Sequence, residues 1–168
     1  MSSQILRSQA SPAVLAAWAR LLRAHAAATR ELNAQLQAEH GLTINDYEAL
    51  LLLSHAENGS MRRIDLAGEL MLTPSGVTRL LDGLQECGYV CKGACSTDAR
   101  VSYAVLTDAG RRKLEEASRS HLGGVNELFR EHFADAELET LAELLGRLSG
   151  DAADGSDCTP GTPVDSAA

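Results

Sequence analysis

The side chains best suited to binding another molecule lie in one short segment, from Thr73 to Arg79. Hydroxyl groups hydrogen-bond phosphates or base edges, an arginine pairs with guanine or phosphate, and a glycine permits close approach of another backbone. These residue types favour contact with DNA in a major groove. The simpler alternative is a capped helix with a solvated face. The candidate contact residues are Thr73, Ser75, Gly76, Thr78 and Arg79.

This segment begins a predicted helix. Thr73 is a good capping residue and Pro74 suits the first helical position, so we predict a helix over about Pro74–Glu86. A short helix is predicted before it, over Met61–Leu70, and a tight turn of two residues joins them. Two helices connected in this way form a helix-turn-helix. The predicted buried face of the second helix consists of Val77, Leu80, Leu81 and Leu84.

A hairpin is predicted after this helix. Its strands are expected over Tyr89–Lys92 and Val101–Leu106, joined by a loop of eight residues. In that loop Arg100 is the candidate residue for a minor groove, and Asp98 is placed to orient it. The alternative is an exposed ion pair worth about 0 to 1 kcal/mol. Three further basic residues are candidate phosphate contacts or, equally, solvated surface charges: Lys92, Arg62 and Arg63.

Helical segments flank this region on both sides. The first is predicted over about Pro12–Glu39, and a helix of that length usually contacts more than one neighbour, so a partner chain is one candidate. Further helices are predicted over Asp46–Ala56, Asp108–Phe133 and Ala136–Leu148. The predicted fold class is therefore mainly α with a small β-hairpin.

The length of 168 residues suits one domain, which we place at residues 11–149. Residues 1–10 are expected to be a flexible lead, and residues 150–168 a disordered acidic tail. The net charge of −8 argues against nucleic acid, but residues 60–113 contain eight basic and six acidic side chains. Because local charge sets the potential that a phosphate meets, DNA binding of moderate, salt-sensitive strength remains compatible with the sequence.

Several classes of protein are disfavoured by the sequence. It has no apolar run of the roughly 18 residues that a membrane span needs and no apolar core of a signal peptide near its N-terminus, so a cytoplasmic location is expected. We find no nucleophile with a neighbouring base, no metal-ligand set and no phosphate-binding glycine loop. We therefore expect neither an enzyme nor a bound cofactor. A module for protein contact alone is a remote alternative.

Taken in order, these pieces resemble the MarR-type winged helix-turn-helix transcriptional regulators. The resemblance covers roughly Ala13–Leu148, and it rests on the order and spacing of short motifs rather than on any one of them. The motifs are Leu42-Thr43, Leu66-Ala67, the run from Thr73 to Leu84, Gly88-Tyr89-Val90, Asp98-Ala99-Arg100, and Leu106-Thr107-Asp108-Ala109-Gly110.

The resemblance implies a homodimer that binds a pseudo-palindromic operator in double-stranded DNA and represses transcription. It assigns about residues 42–107 to a winged-helix lobe, and residues 11–40 and 108–149 to a helical dimerisation region. Many such proteins leave DNA when a small phenolic or anionic ligand binds. A cation, a stacking surface and a hydroxyl are the groups that would bind such a ligand. Five residues offer these groups, although core packing or a solvated surface would also explain them. The candidates for an effector pocket are Trp18, Arg20, His25, Tyr47 and His55.

Three cysteines at intervals of four suggest a second form of regulation. Cys87, Cys91 and Cys95 would allow a redox switch or a zinc site in the wing, although zinc sites usually have a second pair of ligands. The alternative is a buried small side chain at Cys87 and incidental residues at the other two positions. The family's wing is often rich in arginine, whereas this chain has Gly93 and Ala94 there.

Overall fold

A computed structural model describes residues 11–94 and 102–149. Within these residues the chain is mainly helical and carries a small antiparallel sheet, which confirms the predicted fold class. The helices are α1 (Pro12–His40), α2 (Ile44–His55), α3 (Arg63–Glu69), α4 (Pro74–Glu86), α5 (Asp108–His132) and α6 (Asp135–Ser149). The strands are β1 (Ser60–Arg62), β2 (Val90–Ala94) and β3 (Ser102–Leu106), and a 3₁₀ turn covers Glu57–Gly59.

The helices begin at residues whose side chains cap them. Ser11 accepts a hydrogen bond from the Val14 amide at the start of α1. Thr43 and Asp46 form a capping box at the start of α2, in which each side chain accepts from the backbone of the other residue. Gly41 ends α1 with a φ of 67°, a left-handed conformation that glycine adopts without a steric penalty.

The sheet has a third strand that the sequence analysis did not predict. Met61 and Arg62 of β1 belong to the first turn of the predicted helix over Met61–Leu70, and α3 instead begins at Arg63, so the predicted start is wrong. β1 pairs with β3, with Ser60 opposite Val105 and Arg62 opposite Tyr103, so the strand order is β1-β3-β2. A strand of three residues is too short to show an alternating pattern, and only its pairing with β3 defines it.

The core of the first compact unit, which ends at Leu128, is built mainly of leucine side chains from α1 to α4 and the sheet. Each fully buried leucine contributes about 1.5 to 3 kcal/mol relative to an exposed one. The largest fully buried side chains are Leu36, Leu50, Leu53, Leu66 and Leu81.

The turn between α3 and α4 is tight. Met71 adopts a left-handed φ of 50°, and the Leu72 amide donates to the Ala67 carbonyl at 2.9 Å. Val77, Leu81 and Leu84 then bury one side of α4 as predicted, whereas Leu80 is only half-buried. Burial of this one side holds α4 against the core and leaves its other side in solvent.

The start of α5 is fastened to the base of the hairpin. The Thr107 hydroxyl donates to the Gly88 carbonyl at 2.7 Å and accepts from the Gly110 amide at 3.0 Å. A Cβ atom at Gly110 would overlap the carbonyl oxygen of Tyr89 and crowd the Leu106 side chain. Only glycine allows the backbones of α5 and the β2 start to lie this close.

The second compact unit begins at Phe129 and contains the end of α5 and all of α6. Within it, Arg130 pairs with Asp135 at 3.0 Å, and the Ala134 amide donates to the Glu137 carboxylate at 2.9 Å. Of the helices in the described ranges, none combines the length and the apolar character needed to cross a membrane.

Candidate nucleic-acid interface

The first turn of α4 is organised by Thr73. Its Oγ1 accepts a hydrogen bond from the Gly76 amide at 3.1 Å, while its backbone is extended, so Thr73 is the N-cap as predicted. Ser75 Oγ lies 3.2 Å from the same oxygen. A Cβ atom at Gly76 would lie 3.2 Å from Thr73 Oγ1, so glycine keeps the cap uncrowded. Part of the hydrogen-bonding capacity of Thr73 is therefore used by the helix itself.

The solvent side of α4 carries the other predicted contact residues. Thr78 is exposed and its hydroxyl donates to the Pro74 carbonyl at 2.8 Å, which leaves the oxygen able to accept. Arg79 is also exposed, and no described residue pairs with its guanidinium. The structure thus brings four predicted contact residues to one exposed end of α4, namely Thr73, Ser75, Thr78 and Arg79. Apolar side chains on the opposite face of the helix pack into the core.

Two predicted phosphate contacts at the start of α3 have different surroundings. Arg62 is exposed, and its Nε donates to Asp65 Oδ2 at 2.6 Å while its Nη2 donates to Oδ1 at 2.9 Å. These hydrogen bonds, with the charge of Asp65, raise the pKa of the Arg62 guanidinium above its usual value. Arg63 is half-buried, and its Nη2 is enclosed without a hydrogen-bond partner among the described residues.

The hairpin extends further than predicted on its first strand. β2 and β3 pair from Val90 opposite Leu106 to Ala94 opposite Ser102, and Lys92 is exposed in β2. The two predicted residues of the wing tip, Asp98 and Arg100, lie outside the described residues.

Two of the three candidate cysteines are described, and both are exposed. Cys87, the residue directly after α4, is exposed, so the alternative of a buried side chain there is wrong. Cys91 lies in β2 opposite Val105, and Cys95 falls outside the described residues. No group of three potential metal ligands comes together in the described part of the chain.

The candidate effector residues do not share one environment. Tyr47 is buried, its hydroxyl lies 3.2 Å from Ser118 Oγ, and its ring centre lies 4.5 Å from that of His121. The other four are exposed, Trp18 to 59%. They are Trp18, Arg20, His25 and His55.

One exposed candidate still acts on a neighbour. Burial raises the pKa of the Glu48 carboxyl, and the charge of nearby His25 partly offsets that rise.

Polar residues on the inner side of α5 are absent from the predicted site. Burial lowers the pKa of the His121 imidazole, which lies against Tyr47, and its Nδ1 has no partner among the described residues. His40 at the end of α1 lies 2.5 Å from Ser120 Oγ, and Gln35 donates to the Ser120 carbonyl at 3.3 Å. The available signal was the polar run Ser118 to His121 directly after the apolar Ala117, in a helix that also has an inward face.

Comparison with known proteins places these elements among regulators of transcription. A model of the MarR family matches residues 40–101. The HTH-type transcriptional repressor YetL of Bacillus subtilis (strain 168) is 29% identical over 111 residues, which are 66% of this chain and 66% of that protein. The match therefore spans about two thirds of that relative's length.

Solved structures show the same architecture. AbsC, a MarR family transcriptional regulator from Streptomyces coelicolor, superposes with a TM-score of 0.73 at 29% identity, over 84% of this chain and 95% of that one. Sco3205 from the same organism, a MarR family regulator solved in complex with DNA, gives a TM-score of 0.74 at 22% identity, over 88% of this chain and 91% of that one. This second likeness concerns the fold alone.

Proposed function

We propose that the chain is a member of the MarR family of transcriptional regulators, and that it is a sequence-specific repressor that binds operator DNA through α4. The observation that carries the proposal is the exposed end of α4, where Arg79 has no partner among the described residues and the opposite face is buried. Such a helix fits a major groove, where an arginine pairs with guanine O6 and N7. Ser75 and Thr78 add hydroxyls beside it.

Contacts with the DNA backbone would support this readout. Lys92 in β2 is exposed and suited to a phosphate contact. We further propose that Arg100, oriented by Asp98, reaches a minor groove from the wing. We also propose that the protein acts in the cytoplasm, and we propose no catalytic role.

We propose that the protein acts as a homodimer. In the first unit, α1 exposes Val14, Trp18 and Leu22 at intervals of four residues, together with Leu15. Residues so spaced lie on one face of a helix, and an apolar face left in water favours association. In the second unit, taken by itself, α6 exposes Leu144, Leu145 and Leu148. A second copy of the chain would cover such faces, as the family's dimeric architecture requires.

DNA binding and dimerisation would use different regions of the chain. Residues 42–107 would form the DNA-binding lobe, and residues 11–40 and 108–149 the dimerisation region. A two-fold dimer places two copies of α4 against two half-sites, so the operator is expected to be an inverted repeat.

The proposal is tested by selecting duplexes from a random pool with the full-length protein. We expect an inverted repeat to emerge and its affinity to fall linearly with the logarithm of salt concentration, because phosphate contacts release counterions. Light scattering of the same sample should give the mass of a dimer. Failure to retain any duplex at low salt, or a monomer at micromolar concentration, would contradict the proposal.

Regulation by a small aromatic or anionic ligand is part of the proposal. Its support is the polar group formed by buried Tyr47 and half-buried Ser118 and His121 between α2 and α5, which offers a hydroxyl and a neutral imidazole beside an aromatic ring. Benzoate is a simple probe of this chemistry. Release of the selected duplex by benzoate in the wild type and its loss in Tyr47→Phe would support the assignment, and equal release in both would contradict it.

Thiol control is a second candidate, favoured by the exposure of Cys91 in β2. Oxidation of a side chain in this strand would change a surface next to Lys92. The other candidate of the wing, Cys95, lies outside the described residues.

A further inference from the structure

The Arg62–Asp65 pair stands out among the arginines of the helix-turn-helix. Two parallel hydrogen bonds join the guanidinium to the carboxylate, at 2.6 and 2.9 Å. The side chains are 52% and 42% exposed, so the pair lies at the surface. Arg79, by contrast, has no partner among the described residues.

The two hydrogen bonds occupy the part of Arg62 that a phosphate would use. A guanidinium binds a carboxylate or a phosphate in the same way, through two parallel N–H donors and two oxygens. Asp65 therefore takes the place of a phosphate on the Nε–Nη2 edge of Arg62. It also cancels the positive charge that would attract DNA to this end of α3.

The pairing is local and reversible. Asp65 lies three residues after Arg62, across the start of α3, so the carboxylate and the guanidinium are close together along the chain. Exposed ion pairs are weak and are screened by salt. A DNA phosphate can therefore compete with Asp65 for the Arg62 guanidinium.

We propose that Asp65 is a determinant of DNA affinity, which holds Arg62 away from the DNA backbone and thereby keeps operator binding weaker than the basic residues of the lobe would allow. This inference rests on the proposed DNA-binding function. The proposed effect of Asp65 on DNA affinity requires Arg62, and it therefore differs from the general repulsion between a carboxylate and DNA.

The test compares Asp65→Asn with Glu69→Gln in the full-length protein. Both variants remove one negative charge from an exposed or half-exposed position of α3, but only the first frees Arg62. The dissociation constant for the selected duplex is measured as a function of salt concentration for the wild type, both variants, Arg62→Ala and the double variant Arg62→Ala/Asp65→Asn. Circular dichroism confirms that each variant is folded.

We expect Asp65→Asn to bind about three- to tenfold more tightly than Glu69→Gln, given the strength of exposed ion pairs and two copies per dimer. Its salt dependence should steepen by up to about 0.9 per freed arginine. The gain should vanish in the double variant. Equal affinities of Asp65→Asn and Glu69→Gln, weaker binding by Asp65→Asn, or a gain that survives without Arg62 would each overturn the inference. If the wild type itself retains no duplex at any salt concentration, the proposed function fails first, and this inference with it.

Discussion

Replacing Gly110 with alanine tests how the DNA-binding lobe is joined to α5. The added Cβ would overlap the Tyr89 carbonyl oxygen and would also come within 2.8 Å of a Leu106 methyl group. The same carbonyl accepts a hydrogen bond from the Thr107 amide at 3.1 Å, and the Thr107 hydroxyl beside it donates to the neighbouring Gly88 carbonyl at 2.7 Å. The methyl group therefore cannot be accommodated without moving the backbone that those bonds hold.

The magnitude follows from these contacts. Overpacking costs about 1 to 3 kcal/mol, and weakening the hydrogen bonds at Thr107 adds about 0.5 to 1.5 kcal/mol for each bond lost. The better helix propensity of alanine returns about 1 kcal/mol. With both bonds at Thr107 lost, we therefore expect Gly110→Ala to lower the free energy of unfolding by about 1 to 5 kcal/mol.

Gly83 in α4 provides the matched control. It is exposed, and a Cβ atom there would meet nothing within 4 Å. Gly83→Ala should raise the free energy of unfolding by about 0.5 to 1 kcal/mol, because the helix gains propensity without a clash. Urea unfolding of the variants and the wild type at one protein concentration measures both changes. The reasoning is refuted if Gly110→Ala unfolds at the same urea concentration as the wild type, or if Gly83→Ala is destabilised as much.

Two further predictions concern protonation and oxidation. Burial lowers the pKa of His121 below its ordinary value of 6.5, so the unfolded chain binds a proton first as the pH falls. The contribution of neutral His121 to the free energy of unfolding is complete above about pH 6.5 and is lost as the pH falls through the lower pKa of the folded state. His121→Gln should therefore flatten the dependence of the free energy of unfolding on pH below about 6.5. An unchanged slope would contradict the assignment. If Cys91 is a thiol sensor, peroxide should weaken duplex binding of the wild type and of Cys87→Ser but not of Cys91→Ser, whereas equal loss in all three would exclude that role.

Local signals in the sequence predicted the helices well. Ser11 followed by proline, and Thr73 followed by proline, are caps that act within a few residues, so α1 and α4 begin where these pairs predict. β1 was not predicted, because its definition depends on β3, more than 40 residues later in the chain. The start of a helix is set by residues close in sequence, whereas a short strand is defined by its pairing with a strand that is distant in sequence.

The candidate site was predictable to a similar depth. The solvent side of α4 followed from the periodicity of its leucines, which fixed the opposite face in the core. The partner of Arg62 was not predicted, although Asp65 lies three residues later and side chains at that spacing are neighbours in a helix. Trp18 and Tyr47 have similar apolar character in the sequence, yet only Tyr47 is buried, because its burial depends on α5 lying against α2.

Binding of the selected duplex by Arg79→Ala is the most direct test of the claim that α4 reads DNA. Arg30→Ala is the matched control, because Arg30 is an exposed arginine in α1 and its loss changes the net charge equally. We predict that Arg79→Ala weakens binding by about 1 to 3 kcal/mol for each copy of α4 and relaxes the sequence preference at one position of each half-site. Light scattering checks that Arg30→Ala remains a dimer, because Arg30 lies in the proposed dimerisation region, and the dimeric variant should bind as the wild type does. Equal affinity, equal salt dependence and equal sequence preference of the two variants would contradict the account.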